Sequence, residues 1–180
     1  MEDLITTMNN CTHNRSTLTD PESRTELLDF FKSWTWNNPL SATLTCRNGR
    51  LWESGYFSSA KLQDVQKNLR HVLNRVNNDK SVFGNRGKRK KKRLQSVAVT
   101  ERNQSGRYHF HLQIDIPVGL SAELIVATLK REWAKSDWGF NETDIKPVRD
   151  EGWLDYMLKP DSKPEYDLYI DWINCSRAKT

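Results

Sequence analysis

Two of the chain's four histidines, His109 and His111, stand one residue apart in the stretch Gly106–Pro117, GRYHFHLQIDIP. Alternating residues closed by Pro117 predict a β-strand, and strand residues two apart share a face. Both imidazoles therefore leave the same side of a sheet, close enough to hold one ion or one phosphate. The competing reading is a pair of half-exposed strand histidines, and a third partner decides between the two. Glu101 supplies that partner: it ends VAVTE, and RNQSGR leads from it to Tyr108. A three-residue loop Gln104-Ser105-Gly106, with Gly106 in the left-handed conformation, sets Asn103 against Arg107 and Glu101 against His109. A two-residue loop would slip the register by one and turn the carboxylate away. Two imidazoles and one carboxylate with open positions left over suit Mg2+ or Mn2+ acting as a Lewis acid, ahead of zinc. A simple cross-strand polar pair is the alternative for Glu101 and His109.

A second reactive group lies in WLDYMLKP, Trp153–Pro160. On a helix Tyr156 and Lys159, three apart, face one way, while Leu154, Met157 and Leu158 turn to the core. A phenol attacks a phosphodiester phosphorus once a neighbouring cation steadies the phenolate and a metal polarises the phosphate. Lys159 is the local cation. Taken alone, Y-x-x-K also describes a tyrosine at a helix edge beside a solvated lysine.

These side chains need a sheet and a helix to bring them together. In DPESRTELLDFFKSW, Asp20 reads as an N-cap, Pro21 as the first helical position, and Leu27, Leu28, Phe30 and Phe31 as the stripe of a supporting helix. Leu40–Gly49, LSATLTCRNG, reads as a strand ending in an Asn-Gly turn. Ser58–Asn78 follows as a helix with Leu62, Val65, Leu69, Val72, Leu73 and Val76 at helical spacing. Gln95–Arg102 and the histidine strand form the two middle strands. Ser121–Lys135 is a second amphipathic helix, with Leu124, Val126, Ala127, Leu129 and Trp133 as its apolar side. Thr143–Asp150 is a fourth strand that Pro147 sends to an edge. Glu151–Lys159 is a short helix stopped by Pro160, and Tyr166–Ile173 alternates as a further edge strand.

This order, β-α-β-β-α-β and then a helix, is the split pattern of an α+β, ferredoxin-like sandwich with a central antiparallel sheet. Two long helices cover its back, which leaves the histidine face for a ligand and the last helix to lie across it. With 180 residues, 36% of them hydrophobic, one domain is expected at 21–180 with a core at 41–160. Residues 1–20, rich in Asn, Thr and Ser, read as a mobile tail.

A net charge of +5 and a pI near 9.1 favour a polyanionic partner, either nucleic acid or an anionic membrane surface. The longest apolar run, Leu124–Leu129, is too short to span a bilayer, and MEDLITTMNN lacks the basic start and greasy middle of a signal peptide, so no membrane role is expected. Cys11, Cys46 and Cys175 are odd in number and without C-x-x-C, which predicts neither a disulfide framework nor a zinc knuckle and fits a reducing compartment. The basic run at 84–94, with Arg86, Lys88, Arg89, Lys90, Lys91, Lys92 and Arg93, reads as a solvated loop. It would bind nucleic-acid phosphates, pass for an import signal in a nucleus, or merely aid solubility. Among the seven tryptophans, Trp133 and Trp153 fit apolar helix faces and are assigned to the core. Trp52, Trp138 or Tyr108 either stack on unpaired bases or pack in the ordinary way.

HFHLQI resembles the His-hydrophobic-His motif of the HUH endonucleases, and YMLK resembles the Y-x-x-K motif of their single-tyrosine rolling-circle replication initiators, the Rep proteins. ATLTCRN stands where those initiators carry a first, strand-borne motif, with a loose match, and the resemblance runs from Ser41 to Pro160. It implies site-specific nicking of single-stranded origin DNA. His109, His111 and Glu101 would hold the Mg2+ or Mn2+ that polarises the scissile phosphate, and Tyr156 would attack its phosphorus. Lys159 would orient the phosphate or steady the phenolate. The products would be a 5′-phosphotyrosine and a 3′-hydroxyl, which can later rejoin the strand. Host helicase and polymerase are implied partners. The setting is a phage, plasmid or mobile element in a bacterial cytoplasm, or a nucleus if the host is eukaryotic. Gln113, on the histidine face, is a candidate to orient a ligand or contact DNA, or is a plain surface glutamine. Pro160 occupies the position four after Tyr156, so a relay between two tyrosines is not supported. GNRGKR lacks the spacing and the Ser/Thr of a phosphate-binding loop, so no attached helicase is expected. The alternatives are a transposase or relaxase with the same chemistry, a non-catalytic nucleic-acid-binding domain of the same sandwich, and a hydrolase of a smaller phosphoester with Tyr156 incidental.

Overall fold

The computed structural model describes residues 21–84, 93–150, 152–159 and 167–177. The expected tail at 1–20 and the basic run up to Lys92 lie outside the described residues. In chain order the elements are α1 (Pro21–Lys32), β1 (Pro39–Cys46), β2 (Gly49–Leu51), β3 (Phe57–Ser59), α2 (Leu62–Asn78), α3 (Lys80–Phe83), β4 (Gln95–Arg102), β5 (Tyr108–Asp115), α4 (Ala122–Ala134), β6 (Gly139–Pro147), α5 (Gly152–Met157) and β7 (Asp167–Ile170). Five strands pair in the order β6-β1-β5-β4-β7, every pair antiparallel, and β2 with β3 makes a separate hairpin. Without that hairpin and β7, what remains is the βαββαβ order expected for a ferredoxin-like sandwich.

Alternation along the strands gives the sheet two different faces. Leu40, Ala42 and Leu44 of β1, Ala98 of β4, and Phe110, Leu112 and Ile114 of β5 pack with Val65, Leu69, Val72 and Val76 of α2 and Ile125, Leu129 and Trp133 of α4. Each of the Val, Leu, Ile and Phe side chains, once taken from water, contributes about 1.5–3 kcal/mol, so this face holds the main core. On the histidine face, Val97 and Val99 meet Leu27, Leu28 and Phe31 of α1 and Leu154, Met157 and Leu158 at α5. The last helix therefore does lie over the histidine face, with α1 beside it. Among the described residues, no helix is long and apolar enough to cross a membrane, and Cys46 and Cys175 are free thiols.

Several elements differ from expectation. Asn48-Gly49 is not a turn: Gly49 opens β2, where the Phe57 ring occupies the space a Cβ would need, and the chain reverses farther on at Gly55, φ 78°. The helix expected from Ser58 begins at Leu62 because Phe57–Ser59 pairs as a strand instead. The buried side of α4 is Ile125, Thr128, Leu129 and Trp133; Leu124 and Val126 are only partly buried and Ala127 is exposed, since one side of a helix recurs at three and four. The fourth core strand runs from Gly139 to Pro147 and not from Thr143 to Asp150, although it is an edge strand as expected.

Candidate active site

A tight hairpin sets the register of the site. Gly106 takes φ 77°, its N–H donates to the Asn103 carbonyl at 2.9 Å, and the Asn103 N–H donates to the Arg107 carbonyl at 3.0 Å. Glu101 therefore stands opposite His109, as the three-residue loop predicts. On the other side β1 brings Thr45 beside His109 and Thr43 beside His111. Both threonine hydroxyls lie 3.2 Å from the Nδ1 atoms of their histidines. The two Nε2 atoms then meet different partners: His111 Nε2 is 2.8 Å from Glu101 Oε2, and His109 Nε2 is 2.9 Å from Asn103 Nδ2.

Those partners assign the tautomers. Asn103 Oδ1 already accepts from the Arg107 N–H and the Ser105 hydroxyl, so the amide turns its NH2 toward His109. His109 Nε2 must then accept, which makes His109 neutral with its proton on Nδ1, donated to Thr45. Burial, the largest influence, holds the His109 pKa below the usual imidazole value; Glu101 pulls it upward, and His111 and Arg107 push it down. His111 is the opposite case: its Nε2–H donates to the Glu101 carboxylate, and its Nδ1 accepts from Thr43 when the ring is neutral.

Tyr156 completes the group from α5. Its ring stands perpendicular to His111 with centroids 5.7 Å apart, and the residue is 57% exposed. Trp153, one turn earlier, stacks on Tyr156 at 5.2 Å and meets His111 edge-on at 6.0 Å. Its Nε1–H donates to the Leu112 carbonyl at 3.0 Å, which ties α5 to β5. Trp153 is partly buried against the second core, as its spacing suggested, and also serves as a supporting wall of the site. Lys159 is exposed and lies beyond the last residue of α5; its N–H still donates to the Tyr156 carbonyl at 3.3 Å, so the turn carries on past the helix.

Glu101, His109, His111 and Tyr156 are brought together on one face. Gln113 is 4% exposed, set into the sheet between Ser41 and Val97. Arg93 is exposed and donates to Asn74 Oδ1 at 2.5 Å, while Arg86, Lys88, Arg89, Lys90, Lys91 and Lys92 lie outside the described residues. Tyr108 is 7% exposed, buried on the core face, which removes it as a base-stacking ring. Sequence reasoning does not single out Thr43, Thr45 or Asn103. The alternation in TLTC places both threonines on the face toward the histidines, whereas Asn103 shows its role only once the hairpin is closed.

Among the described residues, no three His, Cys, Asp or Glu side chains converge so as to hold a metal ion. The reason is local: His109 Nε2 faces Asn103 while His111 and Glu101 bond each other. The donor set nonetheless has the chemistry of a divalent site, with two imidazoles anchored at Nδ1 and one carboxylate.

The family model for the replication-associated protein ORF2 matches residues 39–164, a stretch that holds every residue of this group. No curated protein and no solved structure matches the chain.

Proposed function

The chain belongs to the replication-associated protein ORF2 family, and from that premise we propose that it initiates DNA replication as a single-tyrosine HUH endonuclease, nicking one strand at an origin. Tyr156 is the nucleophile. Its hydroxyl oxygen bonds to the scissile phosphorus as the bond from phosphorus to the 3′-oxygen breaks; the phenol gives up its proton and the departing oxygen takes one up. The products are a 5′-phosphotyrosine and a free 3′-hydroxyl, from which a host polymerase extends while a host helicase displaces the strand. Because the phosphotyrosine keeps the ester bond, a later 3′-hydroxyl reverses the step and rejoins DNA.

One observation carries this reading: a phenol open to solvent stands edge-on to one histidine of an H-x-H pair. Tyr156 is thereby both reachable by a DNA strand and adjacent to the polar group that would act on its phosphate. A divalent cation held by His109, His111 and Glu101 would serve as a Lewis acid toward that phosphate. The residues suit it, since His109 Nε2 offers a lone pair and Thr43 and Thr45 fix both rings through Nδ1. To hold an ion, His109 Nε2 would have to give up Asn103, and His111 would have to carry its proton on Nδ1, toward the Thr43 hydroxyl, leaving Nε2 as the donor atom. Lys159 supplies positive charge near the phenolate, and the basic run binds phosphates around the nick.

Incubation with labelled single-stranded origin DNA and Mn2+ tests the proposal. A protein-linked fragment is expected, lost in Tyr156→Phe and in His111→Ala. Cleavage that survives Tyr156→Phe would make the protein a phosphoester hydrolase, and tight binding with no cleavage would make it a nucleic-acid-binding module.

A further inference from the structure

We propose that the cleft between the β2–β3 hairpin and α2 is a second DNA site, which takes an unpaired nucleobase. This rests on the DNA-binding part of the proposed function and not on its nicking chemistry. The cleft measures about 630 Å3 and is lined by three aromatic rings, Trp52, Tyr56 and Trp138, with Lys67, His71 and Asp64 beside them. A volume of that size holds a nucleotide with room to spare.

Each part of the lining has a definite use for such a ligand. Trp52 is pre-oriented: its Nε1–H donates to the Ser58 hydroxyl at 2.7 Å, and the Arg50 guanidinium covers one side of its ring at 4.0 Å. The loop that carries it is closed by Trp52 N–H to the Tyr56 carbonyl and by Gly55 N–H to the Trp52 carbonyl, both 2.9 Å. Tyr56 is 66% exposed, an aromatic surface in water, whereas Trp138, 6% exposed and part of the main core, forms the floor of the cleft and offers no stacking face. Flat π-surfaces held this way bind a base at little entropic cost and with little dependence on its identity. Lys67 and His71 are exposed nitrogen donors suited to the attached phosphate. Of the two carboxylates in the lining, Asp137 is neutralised by its ion pair with Arg50, and Asp64 is left to accept from an amino group on a base edge.

The cleft also adjoins the candidate active site along the chain. Near the end of β1, Thr45 anchors His109, Cys46, its last residue, pairs with Gly139, and the Arg47 N–H donates to the Trp138 carbonyl at 2.9 Å.

The test compares the full chain with Trp52→Ala, Tyr56→Ala and Trp52→Phe by fluorescence anisotropy, on a labelled random single-stranded 20-mer and on the same length of duplex, with circular dichroism as the folding control. Each alanine variant should weaken single-strand binding by about 5- to 150-fold, the range of one lost base-stacking contact, and leave duplex binding unchanged. Trp52→Phe should keep most of the affinity because a ring remains. Wild-type affinity in both alanine variants, or equal losses on single strand and duplex, overturns the proposal. If Trp52→Ala does not fold, the exposed Tyr56 decides the outcome alone. Tyr156→Phe run alongside reports on nicking only: cleavage surviving in that variant, with single-strand binding still lost in Tyr56→Ala, sinks the tyrosine-nucleophile mechanism and leaves this cleft standing.

Discussion

Replacing Trp153 with alanine should disable the site from behind, without touching any group that would meet DNA. The indole makes three identifiable contacts: the stack on Tyr156, the edge contact with His111, and the hydrogen bond to Leu112. Taking about 0.5–1.5 kcal/mol for each aromatic pair and a similar amount for the hydrogen bond, the three sum to about 1.5–4.5 kcal/mol of stability. Only the Tyr156 stack bears on the nucleophile itself. Its share corresponds to roughly a two- to twelvefold loss in the population of the docked ring, with a further loss in rate because small misplacements are costly in covalent catalysis. Denaturant unfolding of Trp153→Ala, Tyr156→Ala and the double variant measures that share directly, free of any assumption about activity. A coupling energy of about 0.5–1.5 kcal/mol is expected, together with slower formation of a covalent DNA adduct in Trp153→Ala. Additive losses and an unchanged adduct rate would refute the claim that Trp153 holds the phenol over His111.

Three other perturbations test separate links. Asn103→Asp keeps the Oδ1 acceptor for Arg107 but turns an acceptor toward His109 Nε2, so the His109 pKa should rise in an imidazole NMR titration; an unchanged midpoint, or a wild-type neutral ring carrying its proton on Nε2, contradicts the tautomer assignment. Gly106→Ala forces a side chain into φ 77° and should cost about 1–2 kcal/mol in thermal unfolding, whereas no loss would mean that the hairpin relaxes freely. Asp171, 1% exposed, has its carboxyl pushed up to about 6 by burial from an ordinary 3.8. The folded state holds that proton more tightly than the unfolded chain, so stability is greatest below the unfolded value and falls as pH rises through about 6, by about 3 kcal/mol in all. Asp171→Asn should remove that decline, and a stability difference between wild type and variant that stays constant from about pH 4 to 7 would contradict the burial account.

The parts of the molecule legible in its sequence are those governed by short-range rules. Gly106 and the alternation on either side of it determine one register, and that register alone places Glu101 on the histidine face. The order of strands and helices follows from periodicities of two and of three to four, which identify the sandwich and its edge strands. Trp153 packs against the second core as its spacing suggests, but its part in walling the site is not legible, because the angle at which α5 docks decides it and no local pattern encodes that angle. The β2–β3 hairpin is invisible to periodicity because three-residue strands such as Phe57–Ser59 are too short to show alternation. Trp52 and Trp138, far apart in the chain, share a cleft through long-range contacts, the pairing of Cys46 with Gly139, the Arg47 N–H on the Trp138 carbonyl and the Arg50–Asp137 ion pair.

Mass spectrometry of the protein after reaction with single-stranded origin DNA and Mn2+, followed by nuclease and protease digestion, tests the central claim most directly. The account predicts a nucleotide attached through phosphate to the peptide bearing Tyr156, and to none of Tyr56, Tyr108, Tyr166 or Tyr169. A nicked strand with no nucleotide on any tyrosine, or an adduct on one of those four, would contradict it.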